Sequence, residues 1–182
     1  MTYKIYDNFL DEENFLNLKN IMLGHTFPWY YNEKTVTNYM ENPAFYKDDK
    51  SFVKDGDYQF THIFYTDQQV SSTFSHLVVP LVQKINTSAV VRVKANLTNK
   101  TNRPIVYGFH VDYGNAPSNL KSAVYYVNTT NGPTLFEDGT EIESIENRLV
   151  VFDSNLVHSA VSQTDQSARV IINLNFYENH NI

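Results

Sequence analysis

Residues 106–114 read VYGFHVDYG, and the fold assignment starts from them. Val106, Tyr107, Phe109 and Val111 are strand formers, and the turn-like NAPSN at 115–119 closes the run, so a strand is expected over 105–112. Residues i and i+2 of a strand share a face, so His110 and Asp112 stand side by side while Val111 turns away. An imidazole and a carboxylate presented together are two ligands of a metal site. The pair alone is weakly specific, because a surface His beside a turn Asp would look the same.

Outward from this stretch the chain is almost all β. Strands are expected at 89–97, 121–128, 133–137, 140–144, 148–152, 157–161 and 169–177. NTTNG at 128–132 and SQTDQS at 162–167 read as turns, and Asp138-Gly139 between two short strands as a hairpin. The N-terminal half is mixed. A short strand over 3–9 precedes a helix capped by Asp11, with Glu12 and Glu13 in its first turn and Phe15, Leu18, Ile21 and Met22 as its apolar stripe. Gly24 marks the end of that helix. A second helix is expected over 71–85, kinked or interrupted at Pro80. Aromatic strands lie between the helices, in FPWYYNEKTV and YQFTHIFYT. Closely spaced strands behind a partly helical half predict an α+β, mainly β domain, a double-sheet jelly roll with buttressing N-terminal helices. Residues 1–182 are read as one domain, with 1–88 as support and 89–177 as the core.

Composition limits what such a domain does. The chain of 182 residues has 14 Lys and Arg against 20 Asp and Glu, a formal charge of −6, which does not suit a general nucleic-acid binder. It has no Cys, which excludes disulfide scaffolds, thiolate metal sites and cysteine nucleophiles. The opening MTYKIYDNFLDEENF lacks the pattern of a signal peptide, and no apolar run reaches the ~18–20 residues of a membrane span. A cytoplasmic protein, monomeric or weakly self-associating and binding neither membrane nor nucleic acid, is expected.

Two further elements turn the weak pair into a site. His158 follows the apolar strand of LVVFDSNLVHSAV, and Arg169 opens RVIINLNFY eleven residues later. Two neutral imidazoles and one carboxylate make a facial three-ligand set with open positions, which suits non-haem Fe(II), with Mn, Co, Ni or Zn as inert substitutes. Arg offers a fixed fork of donors to a carboxylate and stays charged when buried. A dicarboxylate with an α-keto end satisfies both features.

His110-Val111-Asp112, His158 and Arg169 together resemble the pattern of the Fe(II)/2-oxoglutarate-dependent dioxygenases. Within that superfamily the chain resembles the prolyl-hydroxylase-like branch over roughly 89–177. AVYYVN (123–128) is similar to the strand that follows the metal pair there, GPTLFEDG (132–139) to the Gly-rich segment after it, and RLVVFDSNLVH to the run into the distal His. The family has a further Tyr about ten residues before the metal pair, where this chain has Lys100. The resemblance implies a double-stranded β-helix, iron on His110, Asp112 and His158, 2-oxoglutarate as cosubstrate on Arg169 and Tyr126, and O2 as oxidant. It also implies hydroxylation of a C–H bond, with peptidyl proline as the expected substrate and a free amino acid or small metabolite as the alternative.

Strand parity adds pocket candidates. The inward face of 90–97 carries Arg92, Lys94 and Asn96; that of the last strand carries Arg169, Ile171, Asn173 and Asn175. Asn96, Asn173 and Asn175 are candidate contacts to substrate or cosubstrate, with Tyr107, Val124, Leu135 and Ala160. Trp29, Tyr30, Tyr31 and Tyr39 are candidates for one aromatic wall of a peptide groove. His25, His62, His76 and His180 have no partner at ligand spacing and are read as surface or satisfied histidines. Lys47-Asp48-Asp49-Lys50 reads as solvated charge. A nucleobase-repair enzyme would carry a second Arg where Asn175 stands. A cupin-like binder, the non-catalytic alternative, would need His-x-His followed by Glu where the chain has Asp112.

Overall fold

A computed structural model describes residues 3–36 and 58–179. Tyr39, Lys47-Asp48-Asp49-Lys50 and His180, named above, lie outside them. The chain runs β1 (Tyr3–Tyr6), α1 (Glu12–Met22), β2 (Tyr30–Asn32), β3 (Gln59–Thr66), β4 (Gln69–Val70), a 3₁₀ segment (Thr73–Val78), α2 (Val79–Lys84), β5 (Thr87–Asn99), β6 (Leu120–Tyr126), β7 (Thr130–Phe136), β8 (Glu141–Ser144), β9 (Arg148–Asp153), β10 (His158–Ala160) and β11 (Ala168–Glu178). Asp11 caps α1 by accepting from the Asn14 N–H at 3.0 Å. Pro80 sits in the first turn of α2, where its missing N–H costs nothing, and the residues before it form the 3₁₀ segment instead of a continuous helix.

The antiparallel large sheet has the order β1-β9-β6-β11-β5-β3-β2, with β4 on β3, and the small sheet has the order β10-β7-β8. Alternation along β5, β6 and β11 divides their side chains between two layers. Val93, Ala95, Ala123, Tyr125, Val170, Ile172 and Leu174 pack on Phe15, Leu18, Met22, Leu77 and Leu81 of the helical layer. Leu18, Met22 and Leu81 are fully buried, and truncating any of them to Ala costs about 2–5 kcal/mol. The opposite face packs Val124, Tyr126, Val150, Phe152 and Ile171 against Phe136 and Ile142 of the small sheet. This is the expected jelly roll, a double-stranded β-helix with helices behind it. Asn147 pins the N-terminus to the sheet. It accepts from the Leu10 N–H at 2.8 Å and from the Tyr125 hydroxyl at 2.9 Å, and donates to the Leu10 carbonyl at 2.9 Å. Among the described residues no helix is long and apolar enough to cross a membrane.

The strand expected over 105–112 is corrected. Only isolated bridges form, Val106 with Val161 and His110 with His158. Gly108 at φ 106° breaks the extended backbone between them, a conformation that L side chains rarely adopt.

Candidate metal centre and cavity

His110 and His158 face each other across the second bridge. Each backbone N–H donates to the other's carbonyl at 2.9 Å, and the rings lie 4.5 Å apart between centroids. Asp112 follows two residues after His110. Ligand atoms of His110, Asp112 and His158 all lie within 4.8 Å of one another.

The ring orientations suit metal binding. His110 Nδ1 lies 3.2 Å from the Gly108 carbonyl and His158 Nδ1 lies 2.9 Å from the Leu156 carbonyl. A carbonyl only accepts, so each Nδ1 bears a proton and Nε2 is the ring atom turned to ligation. Burial, reinforced by His158, pushes His110 down to about 4, so it is neutral at physiological pH. Burial alone would raise Asp112. His158, the Ser122 hydroxyl, His110 and Arg92 outweigh it and hold the carboxyl at about 2, so it is an anion.

A polar network fixes that carboxylate. One oxygen accepts from Ser122 Oγ at 2.5 Å and from Asn175 Nδ2 at 3.0 Å; the other lies 3.6 Å from Arg92 Nη2. Asn175 Nδ2 is also 2.9 Å from Ser122 Oγ, and Asn175 Oδ1 accepts from Arg92 Nε at 3.0 Å. Asn175 is fully buried beneath Asp112 and is not on the cavity wall.

The cavity beside these residues measures about 260 Å³ and lies between the two sheets. Arg169 reaches it from β11 and is 2% exposed. Its Nε donates to the Gly132 carbonyl at 2.8 Å and to Ser144 Oγ at 3.0 Å, and its Nη2 to Thr134 Oγ1 at 3.3 Å. All of these are neutral acceptors. Among the described residues no carboxylate pairs with Arg169, and burial lowers its pKa. Gly132 itself packs tightly on the neighbouring strand, because a Cβ there would meet the Val161 carbonyl at 2.5 Å. An unpaired buried guanidinium is costly, so the pocket is charged to receive an anion. The His2Asp set fits a divalent transition metal, and Arg169 fits the distal carboxylate of a keto acid chelating it.

Asn96, Tyr107, Val124, Ala160 and Asn173 line the cavity with His110, Asp112, His158 and Arg169. Leu135 does not: on β7 its neighbour Thr134 faces inward, and Leu135 packs outward on Phe109 and Val161. Tyr126 is fully buried one layer behind the wall. Its hydroxyl donates to Thr134 Oγ1 at 2.8 Å, so Thr134 presents the hydroxyl to the cavity. The aromatic wall does not form among the described residues. Trp29 packs on the helical core, Tyr30 and Tyr31 stand exposed near the sheet edge, and none of them lines the cavity. Thr35, Val36 and Gln59 also line the cavity. His62 is a satisfied core histidine, 2.8 Å from the Pro28 carbonyl and 2.7 Å from Ser72 Oγ. Sequence reading missed Thr134, Ser144 and Ser122, whose only signal was position beside matched residues. It placed Arg92 and Lys94 inward without giving them a role.

No protein-family model and no curated protein sequence matches the chain. Its fold is similar to that of solved structures. A 2OG-Fe(II) oxygenase family oxidoreductase from Burkholderia pseudomallei superposes with a TM-score of 0.64 at 13% identity, over 98% of this chain and 86% of that one. A prolyl hydroxylase from Trichoplax adhaerens, in complex with a hypoxia inducible factor peptide fragment, gives 0.59 at 15% identity, over 97% and 83%. A prolyl-4-hydroxylase from Pseudomonas putida gives 0.53 at 14% identity, over 98% and 93%. The fold inferred from the sequence resemblance is the fold these structures share.

Proposed function

We propose that the protein is an Fe(II)- and 2-oxoglutarate-dependent oxygenase that hydroxylates a C–H bond. The observation that carries this reading is the buried Arg169, without a carboxylate partner among the described residues, opening onto the same cavity as His110, Asp112 and His158. When bound, iron with 2-oxoglutarate and O2 supplies the oxidation, placing one oxygen atom on the substrate and the other in succinate as CO2 leaves.

The chain's own residues prepare the site. The Gly108 and Leu156 carbonyls hold both imidazoles with Nε2 available, and Ser122 and Asn175 hold the Asp112 carboxylate. Arg169 and Thr134 would take the distal carboxylate of 2-oxoglutarate. Val124, Ala160 and Ile171 supply apolar wall that displaces water from the reacting region.

A prolyl residue in a peptide is supported by the prolyl hydroxylases among the structural neighbours. The cavity favours the other class, a small molecule, because Arg92, Lys94, Asn96 and Asn173 line it and the aromatic residues at 29–31 do not. The oxygenase reading is tested by anaerobic titration with Fe(II) and 2-oxoglutarate. A visible charge-transfer band that needs both components is expected. Its absence, with 2-oxoglutarate failing to bind the metal-loaded protein, refutes the reading.

A further inference from the structure

We propose that Lys94, together with Asn96 and Asn173, forms a second carboxylate-binding subsite in the cavity, and that the substrate is a small free carboxylic acid of amino-acid size. This rests on the oxygenase reading and narrows its substrate.

Arg92, Lys94, Asn96 and Thr98 of β5 share the inward face, with Asn173 of β11 directly opposite Lys94 and Arg169 opposite Thr98. Lys94 makes no ion pair or hydrogen bond with the described residues. Burial, with Arg92 nearby, lowers it to about 8, so it remains largely an ammonium at neutral pH. Neither the Asn96 nor the Asn173 carboxamide makes a hydrogen bond with the described residues, and the Oδ1 of each is buried without a partner. Buried polar groups are ordinarily bonded, and an ammonium and two carboxamides left unspent along one cavity wall are donors and acceptors held for a ligand.

That ligand is not the carboxylate on Arg169. The Lys94–Asn173 and Thr98–Arg169 pairs are four residues apart along both strands, about 13 Å at ~3.3 Å per residue. The other end of 2-oxoglutarate belongs to the metal, which leaves Lys94 for a third component. Charge gives its sign. Among the described residues Arg92, Lys94 and Arg169 face the cavity against Asp112 alone, a formal +2. Fe(II) at +2 and 2-oxoglutarate at −2 would cancel, so among the described residues that surplus is left for an anion to balance. A capped peptide would leave it unpaired.

The test uses the full chain loaded with Ni(II), which blocks turnover, and saturated with 2-oxoglutarate. The probes for calorimetry are the free L-amino acids, each paired with its C-terminal amide, and a Pro-containing peptide capped at both ends. At least one free acid should bind, at least tenfold more tightly than its amide. Lys94→Met should collapse that ratio to near one, Lys94→Arg should keep most of it, and both should leave the affinity for 2-oxoglutarate unchanged. Thermal unfolding of each variant verifies that it is folded. Failure of Ni(II) and 2-oxoglutarate to bind at all refutes the oxygenase reading and this inference with it. Normal 2-oxoglutarate binding with no acid bound, or with amides and capped peptide bound as well as acids, overturns the inference alone. A tenfold loss of 2-oxoglutarate affinity in Lys94→Met also overturns it, by assigning Lys94 to the cosubstrate.

Discussion

Replacing Arg169 by Met separates the two roles that a buried arginine can have. In the protein without ligands its guanidinium is 2% exposed and bonded to Gly132, Ser144 and Thr134, none of them charged. Bonds from a charged donor contribute about 1.5–3 kcal/mol each, and Nε shares one N–H between Gly132 and Ser144, so the two donors contribute ~3–6 kcal/mol. Replacing a buried charge with an apolar side chain of similar volume returns about 1–4 kcal/mol. The first outweighs the second at mid-range, so the apoprotein should lose about 2 kcal/mol of stability, or roughly 4–8 °C in Tm for a domain of this size. The liganded state should respond differently. In the proposed function Arg169 is the carboxylate's charged partner, and losing it should then cost about 2–5 kcal/mol of 2-oxoglutarate affinity, roughly 30- to several-thousand-fold. Calorimetry on the Ni(II)-loaded protein and thermal unfolding of the apoprotein measure both quantities on the same samples. A large loss of stability with unchanged 2-oxoglutarate affinity would refute the reasoning, because Arg169 would then be a structural strand residue.

The remaining expectations concern the metal and its support. Asp112→Ala should abolish tight Ni(II) or Fe(II) binding while the protein stays folded, read by calorimetry and circular dichroism. Asn175→Ala or Ser122→Ala should weaken metal affinity about 10–100-fold, since each holds the Asp112 carboxylate without touching the ion. His110 titrates at about 4 in the folded protein against an ordinary 6.5, so the unfolded chain binds more protons as pH falls through that window. Apoprotein stability should therefore decline from pH 6.5 towards 4, by at most about 3 kcal/mol from this group, and His110→Gln should lose that part of the decline in thermal melts. Lys94→Met should raise the Tm of the apoprotein by several degrees, because burial of an ammonium without a partner is relieved.

The sequence was most legible where one period governs both packing and chemistry. Alternation along 90–97 and 169–177 assigned Arg92, Lys94, Asn96, Arg169, Asn173 and Asn175 to one face, and the structure keeps them there opposite the helix-packed Val93, Ala95, Ile172 and Leu174. Parity failed where pairing is not regular. The stretch around His110 was expected as a strand because its residue types favour one, but Gly108 takes a positive φ that composition does not reveal. Leu135, a pocket candidate from the sequence, faces away, and one residue of register puts Thr134 on the cavity instead. Position alone could not show that Asn175 would be consumed by Asp112 while Asn173, two residues earlier on the same face, would find no partner among the described residues. That distinction depends on which elements fold over each residue.

The contrast between those asparagines shows how the cavity is organised. Around Asp112 nearly every polar group is spent: Ser122, Asn175 and Arg92 all point at one carboxylate, which fixes it for a metal. At Arg169 the bonds are to neutral oxygens, which orient the guanidinium and leave its charge uncompensated. At Lys94, Asn96 and Asn173 the described residues make no side-chain bond, and both Asn Oδ1 atoms are buried without a partner among them. The wall thus grades from a set of groups locked by one another, through a cation held but unneutralised, to groups held for an incoming molecule. A cavity serving only stability would satisfy its polar atoms internally. This one satisfies them where a metal ligand must be rigid and leaves them unmet where ligands with acidic groups would complete the charge balance.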